Sequence, residues 1–125
     1  MQFDAVAPFL WGDAFLQARH GVLRAYHQVV TGGADRPTHG NLHQIRGVLG
    51  WDIRDRLKVI DVPVLLLCGA EDLLTPPWKC LAVAQGIPQS RFEVVPGIGH
   101  SFPVEDPKRF VARLRQFIGG GGFGR

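Results

Sequence analysis

The stretch Val62-Pro63-Val64-Leu65-Leu66-Leu67-Cys68 constrains this chain more than any other. It is too short for a typical buried helix, and it lacks the polar alternation of a strand with one wet face. Apolar side chains on both faces are what a parallel strand covered on both sides requires. A second run, Arg91-Phe92-Glu93-Val94-Val95, follows a helix-like segment from Trp78 to Gln85. Strand, helix, strand reads as a parallel βαβ unit, because parallel neighbours need a long crossover between them. Pro63 stands at the entry of the first strand, where its missing N–H matters least.

Such a unit sends two loops from one edge of the sheet. The first is Gly69-Ala70-Glu71-Asp72-Leu73-Leu74-Thr75-Pro76-Pro77, and the second is Pro96-Gly97-Ile98-Gly99-His100. Parallel neighbours lie ~4.8 Å apart, so residues from both loops can meet there. Asp72 and His100 are the pair of interest. A carboxylate that orients an imidazole makes two members of a nucleophile triad. Each residue also has an ordinary reading, as a turn aspartate or an exposed loop histidine. Glu71, beside Asp72, is an alternative acid.

The remaining segments read as helices. Phe15, Val22, Leu23, Tyr26, Val29 and Val30 fall near helical spacing in a stretch from Met1 to about Val30, which Thr31-Gly32-Gly33 ends. Ala34 to Gly40 reads as a loop. A further helical pattern runs through Leu42, Ile45, Val48, Leu49, Ile53 and Leu57, weakened by Gly47 and Gly50. Thr75 is an N-cap candidate for the helix opened by Pro76-Pro77, and Asp106 caps a last helix started by Pro107. Phe110, Val111, Leu114, Phe117 and Ile118 make the apolar stripe of that last helix. The expected organisation is a helical segment over 1–60, a βαβα unit over 61–118 and a flexible glycine-rich tail over 119–125. Two strands alone leave the edges of Val64–Leu67 bare, which invites pairing with another strand.

Composition excludes some classes. The net charge of +3 comes from 14 basic and 11 acidic residues spread along the chain, with no basic block to track a nucleic acid. No apolar run approaches membrane-spanning length. Nothing after Met1 reads as a secretory leader, so the expected location is the cytoplasm. The two cysteines, Cys68 and Cys80, are expected to be reduced, structural and pointing apart. His39 and His43 have a spacing that can hold a metal on a helix, but no third ligand accompanies them, and no metal is expected. Trp11, Phe15, Tyr26 and Trp51 are either core residues or the lining of an apolar pocket.

Residues 62–118 resemble the C-terminal part of the α/β-hydrolase fold. The resemblance is carried by the strand Val62–Cys68, the Gly69-Ala70-Glu71-Asp72 loop with Thr75-Pro76-Pro77 behind it, Gly97-Ile98-Gly99-His100, the Glu105-Asp106-Pro107 helix start and the amphipathic last helix. It implies that Asp72 is the triad acid and His100 the triad base. Residues from about 10 to 60 then look like the remnant of a helical cap, and Trp51 to Leu57 like the approach to the acid-bearing strand. The family's G-x-S-x-G nucleophile elbow has no counterpart in this sequence. Its serines, Ser90 and Ser101, stand before the second strand and directly after His100.

The implied fold is α/β, the C-terminal part of an α/β-hydrolase with a cap remnant and a parallel βαβα unit. The implied activity of the complete enzyme is hydrolysis of a small apolar ester, lactone or related carbonyl substrate, without a cofactor. The expected partner is an N-terminal hydrolase half or a second copy of the chain. Two alternatives stand beside this reading. One is a non-catalytic interaction module that pairs through its bare strand edge. The other is C–C bond hydrolysis or haloperoxidase-type activity on the same fold.

Overall fold

A computed structural model of the chain describes residues 3–32 and 38–120. Among the described residues, the sheet consists of two parallel strands, β1 (Val64–Gly69) and β2 (Ser90–Val95), in register from Val64 opposite Ser90 to Gly69 opposite Val95. β1 starts after Pro63, where the Val64 N–H makes the first inter-strand contact by donating to Gln89 O at 2.9 Å. The crossover is α4 (Pro77–Gly86), and the order strand, helix, strand is the one expected. β1 is less covered than its apolar sequence demands. Cys68 and Gly69 are buried, whereas Val64 to Leu67 are half-buried, because a two-stranded sheet has two free edges and little face for helices to cover.

Beyond β2 come α5 (Phe102–Glu105) and α6 (Pro107–Gly119). The Asp106 carboxylate accepts from the Arg109 N–H at 2.9 Å, capping α6 as expected. Phe110 packs edge-on against Phe102 with ring centroids 5.4 Å apart. Val95, Ile98 and Phe102 form the buried cluster here, with Leu67 and Phe110 against it. The expected buried stripe of α6 is only partly realised. Phe110, Leu114 and Phe117 are half-buried, but Val111 and Ile118 are exposed. The stripe is wider than the surface offered to it.

Among the described residues, three α-helices precede the sheet: α1 (Phe3–Leu10), α2 (Asp13–Thr31) and α3 (Thr38–Leu49). The stretch expected as one helical region is thus two helices, broken at Trp11-Gly12, where Gly12 is extended. Phe3, Ala7 and Leu23 form a second buried cluster with Trp11, Phe15 and Leu16 around it. The pattern from Leu42 to Leu57 is also divided. α3 ends at Leu49, and a 3-10 helix spans Arg54–Val59. Between them the Asp52 carboxylate accepts from the Arg54 N–H at 3.0 Å, giving the backbone an alternative to a continuous helix. Of the loop expected from Ala34 to Gly40, residues 38–40 belong to α3 and the rest lie outside the described residues, as does the end of the expected tail beyond Gly120. Among the described residues no helix is long and apolar enough to cross a membrane.

Candidate active site

The loops after β1 and β2 are bonded to each other along their backbones. The Ala70 N–H donates to Val95 O and the Glu71 N–H to Ile98 O, each at 2.9 Å. Gly69 permits this approach. A Cβ there would fall 2.2 Å from Ile98 O and 2.3 Å from Gly99 O, closer than any side chain tolerates. Gly97 turns the second loop with φ +72°. The pairing register that sets β1 beside β2 therefore also sets the two loops face to face.

This brings Asp72 and His100 together. His100 Nδ1 lies 2.9 Å from Asp72 Oδ2. Asp72 is 5% exposed, the one buried charged residue among those described. Its Oδ1 accepts from the N–H groups of Leu74 at 2.9 Å and Thr75 at 2.8 Å, and its Oδ2 also accepts from the Thr75 hydroxyl at 2.9 Å. Burial acts to raise the Asp72 carboxyl, but the hydrogen bonds from the Thr75 N–H, from His100 and from the Thr75 hydroxyl outweigh it. The carboxyl sits below its ordinary value and is held ionised. An ionised carboxylate only accepts, so Nδ1 is the donor of the pair. The His100 side chain is 36% exposed, so it remains open to an incoming group.

Thr75 has a different role from the cap expected of it. The residue before α4 is Pro76, and no side chain caps that helix. The Thr75 hydroxyl instead orients Asp72 and lies 3.4 Å from His100 Nδ1. The signal was the spacing of Asp72 and Thr75, which is that of a side chain folding back on its own turn.

Glu71 is directed elsewhere. Its Oε2 accepts from the Asp13 N–H at 2.7 Å, at the start of α2. Cys68 and Cys80 do not point apart. Both thiols donate to the same carbonyl, Thr75 O, at 3.5 Å, and both are free. Burial, then the hydrogen bond and charge of Cys80, then the Asp72 charge, push the Cys68 thiol up to about 12, which removes it as a nucleophile near neutral pH. The Ser90 hydroxyl donates to Ala84 O at 2.6 Å, and the Ser101 N–H donates to Leu10 O at 2.9 Å. His39 and His43 both fall within α3, and His43 is exposed. No group of three metal-ligating side chains occurs among the described residues. Of the four aromatics, Trp11 and Phe15 pack against the Phe3 cluster, while Tyr26 and Trp51 are exposed.

The alpha/beta hydrolase fold family matches the chain over residues 11–107. A Caulobacter vibrioides protein provisionally named carbamate hydrolase RutD is 34% identical over 114 residues, covering 90% of this chain and 41% of its own. Among solved structures, Est816, described as an N-acyl homoserine lactone degrading enzyme, superposes with a TM-score of 0.77 at 28% identity, covering 92% of this chain and 46% of its own. A thermophilic esterase from Thermogutta terrifontis superposes with a TM-score of 0.67 at 26% identity, covering 92% of this chain and 42% of its own. The chain thus spans less than half the length of each of these proteins.

Proposed function

Because this chain belongs to the alpha/beta hydrolase fold family, we propose that Asp72 and His100 are the acid and base of a triad that hydrolyses a small apolar carbonyl substrate. Esters, lactones and carbamates are the class to test, since the similar proteins are named for that chemistry. Nε2 of His100 takes the proton of an attacking hydroxyl and returns it to the leaving group. Asp72 holds the ring in the tautomer that leaves Nε2 free and stabilises the imidazolium that forms. The nucleophile and the oxyanion donors come from an N-terminal hydrolase half that packs on β1, whether joined to this chain or separate. The observation that carries the reading is the 2.9 Å contact between His100 Nδ1 and a buried, fully hydrogen-bonded Asp72.

The test is hydrolysis of p-nitrophenyl acetate and butyrate, first by the chain alone and then with an N-terminal half from a related hydrolase. Losing a triad nucleophile costs on the order of 10⁶ in rate, and losing oxyanion donors a further ~10²–10³. The chain alone is expected to be no faster than free imidazole. Saturable activity should appear on mixing and vanish with His100→Ala. Saturable activity of the chain alone would overturn the assignment of the nucleophile to another segment.

The half-buried Val64 to Leu67 favour a second reading, in which the chain self-associates or captures a strand through an edge of its two-stranded sheet. Sedimentation resolves it. A stable monomer with slow amide exchange from Val64 to Leu67 argues against edge pairing.

A further inference from the structure

α2 begins without a side-chain cap of its own, because its N-cap residue is Gly12. Two carboxylates take that place, Glu71 from the loop that carries Asp72 and Glu105 from the end of α5. Glu71 Oε2 accepts from the Asp13 N–H at 2.7 Å. Glu105 Oε2 accepts from the Gly12 N–H at 2.9 Å and from the Gly99 N–H at 3.0 Å, with Oε1 at 3.1 Å from the same Gly99 nitrogen. The Ser101 N–H donates to Leu10 O at 2.9 Å on the other side of His100. The backbones on either side of His100 are therefore tied to the junction between α1 and α2.

The two glycines make this closeness possible. A Cβ on Gly99 would lie 2.4 Å from Gly12 N and 2.5 Å from Trp11 C. A Cβ on Gly12 would lie 2.8 Å from Glu71 Oε2 and 3.0 Å from Glu105 Oε2. Both carboxylates therefore converge on the positive end of a 19-residue helix, where backbone N–H groups and the aligned peptide dipoles favour negative charge. Ion-assisted hydrogen bonds of this kind are the stronger class.

We propose that Glu105 is a positioning residue for His100: by holding the Gly99 and Gly12 N–H groups on one carboxylate, it couples the seat of the base to the start of α2. The proposal rests on the reading of His100 as base. Glu105 holds the Ile98–Gly99 peptide, one residue before His100, so it acts through the backbone that leads to the imidazole. Glu71 is its counterpart on the Asp72 side and grips Asp13 alone. Movement of α2 away from the sheet must break the Glu105 bridge or drag the His100 loop with it, so the placement of these helices and the placement of the base are one variable.

The test is amide hydrogen exchange and imidazole NMR on the full chain. Glu105→Gln keeps the size and one acceptor oxygen but removes the charge. It should speed exchange of the Gly12 and Gly99 amides by about 10-fold or more, the scale expected for a lost charge-assisted bond, and should hasten loss of the His100 Nδ1–H signal to solvent. The Asp13 amide should not change. Glu71→Gln should release Asp13 and leave Gly99 and His100 as they were. Gly12→Ala, which crowds both carboxylates without removing either, should speed exchange of the Gly99 amide as Glu105→Gln does and should release the Asp13 amide as well. Two results would overturn the proposal. One is an unchanged Gly99 amide and His100 signal in Glu105→Gln. The other is equal acceleration at Leu66 and Val95, which would make Glu105 a residue of general stability only. These readouts need no turnover, so failure of the mixing assay with the exchange pattern intact would refute the base assignment and leave the bridge standing.

Discussion

The N-terminal helices and the βαβα unit each bury a small apolar cluster but differ in what ties their backbones together. In the βαβα unit, Val95, Ile98 and Phe102 are buried together, and the loops above them are joined by backbone hydrogen bonds with a glycine at the closest approach. In the helices, Phe3, Ala7 and Leu23 are buried, but Val29 on α2 and Leu49 on α3 are 81% and 82% exposed. A helix pairs most of its backbone internally, so an uncovered apolar face leaves few backbone groups without partners. A strand cannot, so wherever β1 and β2 exist they must bring neighbours and their loops with them. The lesson is that in this chain the site is built where the backbone demands partners, and the helices reach it through Glu71 and Glu105.

The sharpest way to break this contrast is at glycine. Gly69→Ala forces a Cβ into Ile98 O and Gly99 O and should cost about 3 kcal/mol or more, at or beyond the upper range of overpacking. Thermal denaturation followed by circular dichroism should show the cooperative transition lowered by tens of degrees or lost. Gly21→Ala on α2, with nothing within 4 Å of the new methyl, should instead stabilise by up to ~1 kcal/mol from helix propensity. If the two substitutions behave alike, the loops are not the rigid part of the molecule.

Core truncation comes next. Phe102→Ala removes a side chain that is 4% exposed and packed on Phe110, and should cost about 3–4 kcal/mol. Leu23→Ala, in the cluster between α1 and α2, should cost ~2 kcal/mol. Urea unfolding distinguishes them, and a reversed order would place the principal core among the helices.

Asp72→Asn sharpens the electrostatic side. The Asp72 carboxyl lies below its ordinary value in the folded state, so its contribution to stability is present above the unfolded value of about 3.9 and is lost as pH falls through the folded value. The variant should be less stable at pH 7 and should lose part of the fall in stability expected of the parent on acidification below about pH 4. Equal slopes in urea titrations across that range would show that the hydrogen bonds to Thr75 and His100 do not favour the ionised form. The smallest effect is expected at the surface. Tyr26→Ser, at an exposed position of α2, should shift stability by no more than about 0.5 kcal/mol.

Much of this was written in the chain. The unbroken Val64-Leu65-Leu66-Leu67-Cys68 run demands a parallel strand, the next apolar run demands its neighbour, and the two loops between and after them carry Asp72 and His100 to one edge. These follow from local pattern, because strand period, crossover length and loop position depend on residues close in sequence. What only the tertiary structure decided depends on residues far apart. Thr75 looked like a helix cap until Asp72 was seen to fold back onto it. Cys68 and Cys80 looked separated until both met one carbonyl. Val111 and Ile118 matched a buried stripe that a two-stranded sheet is too narrow to cover. The break at Gly12 and the bridge from Glu105 to it have no local signature, since the carboxylate and the Gly12 N–H lie 93 residues apart. Periodicity reports which face of an element is apolar; which neighbour arrives to meet that face is settled by packing across the whole chain.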